Sequence, residues 1–206
     1  MEASPGPLRA VRSWEEATPD RGEDEGVLEA MLLTAGEKGY AKATVREVAD
    51  RAGITADRLN RRFGGKEACF ARAYGEAVER LAAQIAAACG AAPDWREGFR
   101  AGLGELLRTV AEQPLTAKAL LLEVRVARGA AWDKHQEIVA RLTAALESAR
   151  EEPGARPDAS PMTAGFIAGA IEESLCIELA AGRGDGVQLL LPDLTHLAFL
   201  QLFGEE

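Results

Sequence analysis

The segment TVREVADRAGITADRLNRRFGGKEACF, residues 44–70, encodes two short amphipathic helices separated by one glycine and followed by a third helix. Thr44 is placed to cap the first: its hydroxyl can accept from the N–H three residues on, while Glu47 reaches back to the Thr44 N–H. Val45, Val48, Ala49 and Ala52 then recur at helical spacing as one apolar stripe. Gly53 follows at once, and a residue without Cβ tolerates the left-handed backbone of a tight turn. Thr55 caps the next helix, whose apolar anchors are only Leu59 and Phe63. Gly64 and Gly65 end it, and Lys66 opens a long helix whose Phe70, Ala73, Ala77, Leu81 and Ile85 face inward to about residue 88. Upstream, Leu28, Met31, Leu32 and Ala35 predict a helix that stops at Gly39.

Charge singles out the same unit. The chain of 206 residues carries a net charge of −9. Residues 26–67 nevertheless hold eight basic and six acidic side chains. Basic character gathered on one small helical unit of an acidic protein is expected where one face meets phosphate and the bulk does not. Arg58, Arg61 and Arg62 can reach phosphates there or pair bidentately with guanine. The overall acidity excludes a chain that coats nucleic acid or an anionic membrane along its whole surface.

Those residues, preceded by a helix ending in EKGY, resemble the DNA-binding domain of the TetR family of one-component transcriptional regulators. The resemblance covers residues 26–75 and rests on an ordered set: the GY turn, the capped short helix, the AG turn, the Ile-Thr start of the next helix, the Leu and Phe anchors, and KE opening the long helix. It implies that Thr44 and Arg46 meet DNA at the start of the first short helix, that Ala56 and Arg58 match base-reading positions, and that Asn60, Arg62 and Lys66 match phosphate-contacting ones; Thr55 and Arg61 are further DNA-binding candidates. Asn60 stands where the family usually has Tyr, and Asp57 where it usually has a small neutral residue. A carboxylate at 57 either repels phosphate or accepts from a cytosine amino group. The function implied is a ligand-responsive repressor that binds a palindromic operator in double-stranded DNA as a homodimer. The competing class is a helical small-molecule-binding protein or enzyme that retains a reader-like domain without using it on DNA.

The rest of the chain agrees with an all-α fold. It has 40 alanines, 5% aromatic residues and few β-branched ones. Helices are predicted over residues 95–112, 115–127, 131–150, 161–181 and 192–203, with Pro161 and Pro192 in first turns. Three domains are expected: residues 1–25 as a disordered acidic extension that includes Trp14, 26–68 as a three-helix helix-turn-helix unit, and 69–206 as a helical effector-binding and dimerisation domain. Phe99, Leu103, Leu120, Val124, Trp132 and Phe166, the bulkiest residues available to the bundle interior, are the candidate lining of an effector pocket. The segment 187–203 has eleven apolar residues in seventeen, so the last two helices are expected to join two copies.

Other features read as structural. Glu123, Arg125, Glu172, Glu173 and Glu178 interrupt apolar helices; most are expected at the surface, and any that is buried needs a partner or a ligand. The Gly98–Gly102 and Gly165–Gly169 spacings suggest close helix contacts in the core. His135 and His196 lie on different helices without metal-ligand spacing, and Cys69, Cys89 and Cys176 form no CxxC pair, so neither a metal site nor a disulfide framework is indicated. No catalytic triad order, glycine-rich phosphate loop or paired metal motif appears, so no enzyme activity and no cofactor are expected. The N-terminal residues lack the apolar run of a signal peptide, and no 18 apolar residues run uninterrupted; a cytoplasmic protein without a membrane partner is the expectation.

Overall fold

A computed structural model describes residues 24–204. The expected acidic extension, with Trp14, lies outside the described residues except at its end, where Glu25 already belongs to a helix. In chain order the helices are α1 (Glu25–Lys38), α2 (Val45–Ala52), α3 (Ala56–Phe63), α4 (Lys66–Gly90), α5 (Trp95–Glu112), α6 (Pro114–Lys118), α7 (Val124–Ala127), α8 (Gly129–Glu147), α9 (Thr163–Ala180) and α10 (Leu191–Phe203). A π-helical turn, Ala119–Glu123, joins α6 to α7, and 3₁₀ turns at Ser148–Glu151 and Gly184–Leu190 follow α8 and precede α10. Among the described residues there is no strand, so the fold is all-α, with an N-terminal helix-turn-helix unit and a C-terminal helical domain.

The local signals act as their chemistry dictates. Thr44 and Glu47 form the complete capping box, and Gly53 takes the left-handed backbone with φ 70°. The Thr55 hydroxyl accepts from the Arg58 N–H, and Gly64 ends α3 at φ 77°. The segment expected as one helix over 115–127 is instead α6, which Pro114 opens, the π turn and α7, the wider hydrogen bonding of the π turn interrupting the α-helix. Pro192 sits in the first turn of α10, whereas Pro161 precedes α9.

Two apolar cores result. The first lies beneath the helix-turn-helix unit and unites α1–α4 with the π turn, α7 and α8 through Met31, Val48, Leu59, Phe70, Tyr74, Leu120 and Val124. The second unites α5, α8, α9 and α10 through Trp95, Leu107, Ile167, Leu175, Leu194 and Leu202. Helix α4 crosses both regions. Gly98 and Gly102 mark the expected close contact between α5 and α4: a methyl at 102 would overlap Cys89 Sγ. Gly165 and Gly169 do not, since nothing lies within 4 Å of a Cβ built at either and both are exposed. They belong to an outward face of α9 that also carries Met162, Phe166 and Ile177, which are 62%, 64% and 54% exposed.

Residues 184–203 are long and apolar enough to cross a membrane by length and composition. Here they break into the 3₁₀ turn and α10, and Val187, Leu194, Ala198 and Leu202 enter the second core.

Candidate nucleic-acid interface and effector cavity

The reader presents a polar surface over an apolar floor. Leu59 and Phe63 hold α3 inward, at 1% and 7% exposure, so Arg58, Asn60 and Arg61 face solvent beside Asp57. Asp57 occupies the first turn of α3, where a carboxylate is favoured by the helix dipole. Arg46 projects from α2 with its side chain 87% exposed and only a loose pairing to Asp50 at 3.9 Å. Thr44 is exposed, but its hydroxyl already accepts from Glu47 N and donates to Glu47 Oε2. Thr55 and Ala56 stand at the start of α3, Thr55 exposed and Ala56 half-buried.

Two of the expected phosphate contacts are engaged within the fold. Lys66 Nζ donates to Tyr40 O at 3.0 Å and Ala43 O at 3.2 Å, and lies 4.3 Å from the centre of the Tyr40 ring. It fastens the α1–α2 turn to α4. Arg62 pairs with Asp24, the residue before α1, which also holds Arg72 at 2.9 Å. Phosphate contact by either cation therefore shares or exchanges an internal partner.

The C-terminal domain contains a cavity of about 150 Å³ between α4, α5, the α6–π segment, α8 and α9. A second lobe of about 110 Å³ runs towards Trp95 and shares Ile85, Leu106, Leu142 and Ile171 with the first. Of the expected lining, Leu120 borders the first lobe, and Phe99 and Leu103 border the second. The other three border neither. Val124 is fully buried in the first core, Trp132 packs against that core and stacks on His135 at 4.9 Å, and Phe166 is on the outward face of α9. Helical spacing makes a residue apolar-facing without saying which of several apolar faces it meets, and those three follow from that degeneracy.

The polar part of the lining was not anticipated. Tyr74, Thr109, Gln113, Thr116, His135 and Glu172 border the first lobe. His135 is 4% exposed. The Tyr74 hydroxyl lies 3.0 Å from His135 Nδ1, and His135 Nε2 lies 3.3 Å from Glu172 Oε1, which also accepts from Arg125 at 2.6 Å. With Nε2–H donating to the Glu172 carboxylate, Nδ1 is left to accept from the Tyr74 hydroxyl. The hydrogen bond from His135, aided by Arg125, holds the Glu172 carboxyl below the usual carboxylate range despite burial. Burial pushes the Tyr74 phenol up. Burial also pushes the Cys69 thiol up to about 12 and raises those of Cys89 and Cys176, opposite to the shift that favours a thiolate. Only Glu172 had a signal in the sequence, as a charge interrupting an apolar helix, and it is half-buried and paired rather than at the surface. His135 and Tyr74 look like any other amphipathic-helix residues.

Reader and cavity share the π turn. Leu120 and Leu121 border the cavity, while Glu123 at the end of the same turn accepts from the Tyr40 N–H at 2.6 Å. Beside it, α1 approaches α6 so closely that a methyl at Gly36 would overlap the Leu115 carbonyl. Phe70 of α4 bridges Tyr40, at 4.8 Å between ring centres, to Tyr74 at 6.3 Å.

Comparison with known proteins agrees with this arrangement. Residues 27–73 match the family described as bacterial regulatory proteins, tetR family. The chain is 33% identical over 96 residues to the HTH-type transcriptional repressor KstR of Mycolicibacterium smegmatis, a match covering 46% of each protein. It thus spans less than half the length of that curated relative. In fold it is similar to the fatty acid degradation regulator FadR from Bacillus halodurans, with a TM-score of 0.75 and 18% identity over 84% of this chain and 96% of that one. It is also similar to FadR from Bacillus subtilis in complex with stearoyl-CoA, with a TM-score of 0.74, 16% identity and the same coverage. The N-terminal unit, residues 27–73, thus matches the tetR family of bacterial regulatory proteins, and the all-helical fold of the chain is similar to that of the solved regulators.

Proposed function

We propose that this protein is a ligand-responsive transcriptional repressor that binds a palindromic operator as a homodimer. The observation that carries the reading is the π turn, which borders the cavity at Leu120 and Leu121 and bonds the reader at Tyr40 through Glu123. A ligand that prefers one setting of this turn shifts the population of reader positions by its differential affinity, and two readers then no longer match the half-sites. Arg46 and Arg58 are the base-reading candidates, with Thr55 and Ala56 beside them. Thr44, Asn60, Arg61, Arg62 and Lys66 are the backbone-contact candidates. The exposed apolar face of α9, with α10 beside it, is the proposed subunit contact, since patches of this kind are covered in symmetric dimers. A long apolar effector suits the cavity, and the Bacillus subtilis FadR structure holds a molecule with such a chain, stearoyl-CoA.

Selection from random duplex DNA, followed by anisotropy titrations at several salt concentrations, tests the reading. The expected result is a palindrome, affinity that falls steeply with salt, and an Arg58→Ala variant that loses roughly 1 to 3 kcal/mol on the selected site by relaxing one base position. Absence of both sequence preference and salt dependence overturns it in favour of a helical ligand-binding protein that does not use DNA. A stable monomer of 21.9 kDa in sedimentation at micromolar concentration overturns the dimer.

A further inference from the structure

The cavity's polar groups say more about the ligand than its apolar walls do. Thr109 borders the first lobe, and its hydroxyl is buried with no hydrogen-bond partner among the described residues. A buried hydroxyl normally has a partner, and an orphaned one at a cavity wall marks where a partner belongs. The Tyr74 oxygen, having given its proton to His135, keeps a lone pair on the same lobe. Among the described residues, the carboxylates bordering the two lobes are Glu172 and Asp94, and no Lys or Arg borders either lobe. Asp94 is committed to capping α5 through Glu97 N, and Glu172 to His135 and Arg125. An anionic head group inside the cavity would meet carboxylates and no cation. A cationic one would compete with partners already in place.

We infer that the cavity takes an uncharged, elongated apolar molecule bearing one hydroxyl group, which bonds Thr109 and Tyr74 in the first lobe while its apolar body runs past Ile85, Leu106 and Leu142 into the second. The hydroxyl accepts from the Thr109 O–H and donates to the Tyr74 oxygen, so each polar atom finds a partner. This rests on the effector-cavity reading above but not on DNA binding, and its test contains no DNA.

The probes are dodecanol, dodecanoate and dodecylammonium, which share one chain and differ only in the head. Binding is followed by calorimetry and by the fluorescence of Trp95, which borders the second lobe. Dodecanol is expected to bind the full chain at least about tenfold more tightly than either charged probe, as burial of an unpaired charge requires. Thr109→Val, similar in shape but without the hydroxyl, is expected to weaken dodecanol about fivefold, the ordinary worth of one hydrogen bond, and Thr109→Ser to restore it. Equal or tighter binding of a charged probe overturns the inference, as does dodecanol affinity unchanged in Thr109→Val, or no binding of any probe. Should Thr109→Val melt early, the head-group order in the unaltered protein and the Thr109→Ser affinity still decide. A protein that binds dodecanol as described but never associates with DNA refutes the repressor reading and leaves this one standing.

Discussion

From Lys66 to Ala73, the inward face of α4 is packed solid: Cys69, Phe70 and Ala73 are each at most 1% exposed, and aromatic rings and the Lys66 ammonium fill the space beneath the reader. From Tyr74 onward the same helix borders open volume, with Tyr74, Val78, Leu81, Ala82 and Ile85 walling the cavity and Cys89 the second lobe. The two halves differ in kind. A close-packed region resists small changes and passes them on whole, whereas walls around free volume can move inward or outward at low cost. In the repressor reading proposed above, a ligand acts where the walls can yield, and its effect reaches the reader through the end that cannot. The cavity half also holds the unpartnered Thr109 hydroxyl, while the polar groups near the reader, such as Lys66 and Glu123, have named partners.

Core truncation is the strongest way to break this contrast. Phe70→Ala is expected to cost about 3 to 5 kcal/mol in urea denaturation, since a large cavity opens where nothing can collapse. Ile85→Ala, at a half-buried wall of existing volume, is expected to cost only about 1 to 2 kcal/mol, below the usual range for such a truncation. Equal losses would show that the two halves are packed alike.

Gly36→Ala probes the seam between reader and effector domain. Alanine is the better helix former by about 1 kcal/mol, yet here its methyl meets the Leu115 backbone. The expected net result is a loss of about 1 to 3 kcal/mol in the same measurement. A neutral or stabilised variant would mean that α1 and α6 are not rigidly apposed.

The smallest effects sharpen the reader side. Thr44→Ala is expected to cost about 1 kcal/mol, seen as faster hydrogen exchange in α2, because one cap is lost. The Glu47 carboxyl is held down to about 2, from an ordinary 4.5, chiefly by the hydrogen bond from Lys38 and then by those from Thr44. A lowered folded value gives a contribution that is complete above the unfolded pKa and is lost as pH falls through the folded one. Glu47→Gln should therefore flatten the acid limb of α2 stability between pH 4.5 and about 2, and salt should shrink the difference because the pair is exposed. An acid limb identical in the variant would place the acid sensitivity elsewhere.

Sequence legibility follows the same division. The reader could be located residue by residue because its determinants are local: Thr44 and Glu47 are three apart, Gly53 alone makes the turn, and Leu59 and Phe63 share one face of an eight-residue helix. The cavity could be anticipated only as a region. Leu120, Phe99 and Leu103 border it, whereas Phe166 obeys the same spacing and faces outward, and Val124 and Trp132 serve the other core. The π turn left no trace in the pattern, because one extra residue in a helical turn changes a hydrogen bond and not the composition.

By itself, then, the sequence determined an all-helical chain, the capped helix-turn-helix and the basic character gathered on it, since each depends on contacts within a few residues. Tertiary structure alone decided that Tyr74, His135 and Glu172, up to 98 positions apart in the numbering, form one hydrogen-bonded row, that Thr109 is left without a partner beside it, and that Lys66 fastens a turn. Those relations depend on which helices meet and at what register, and a one-dimensional period records only that a residue faces inward, not what it faces.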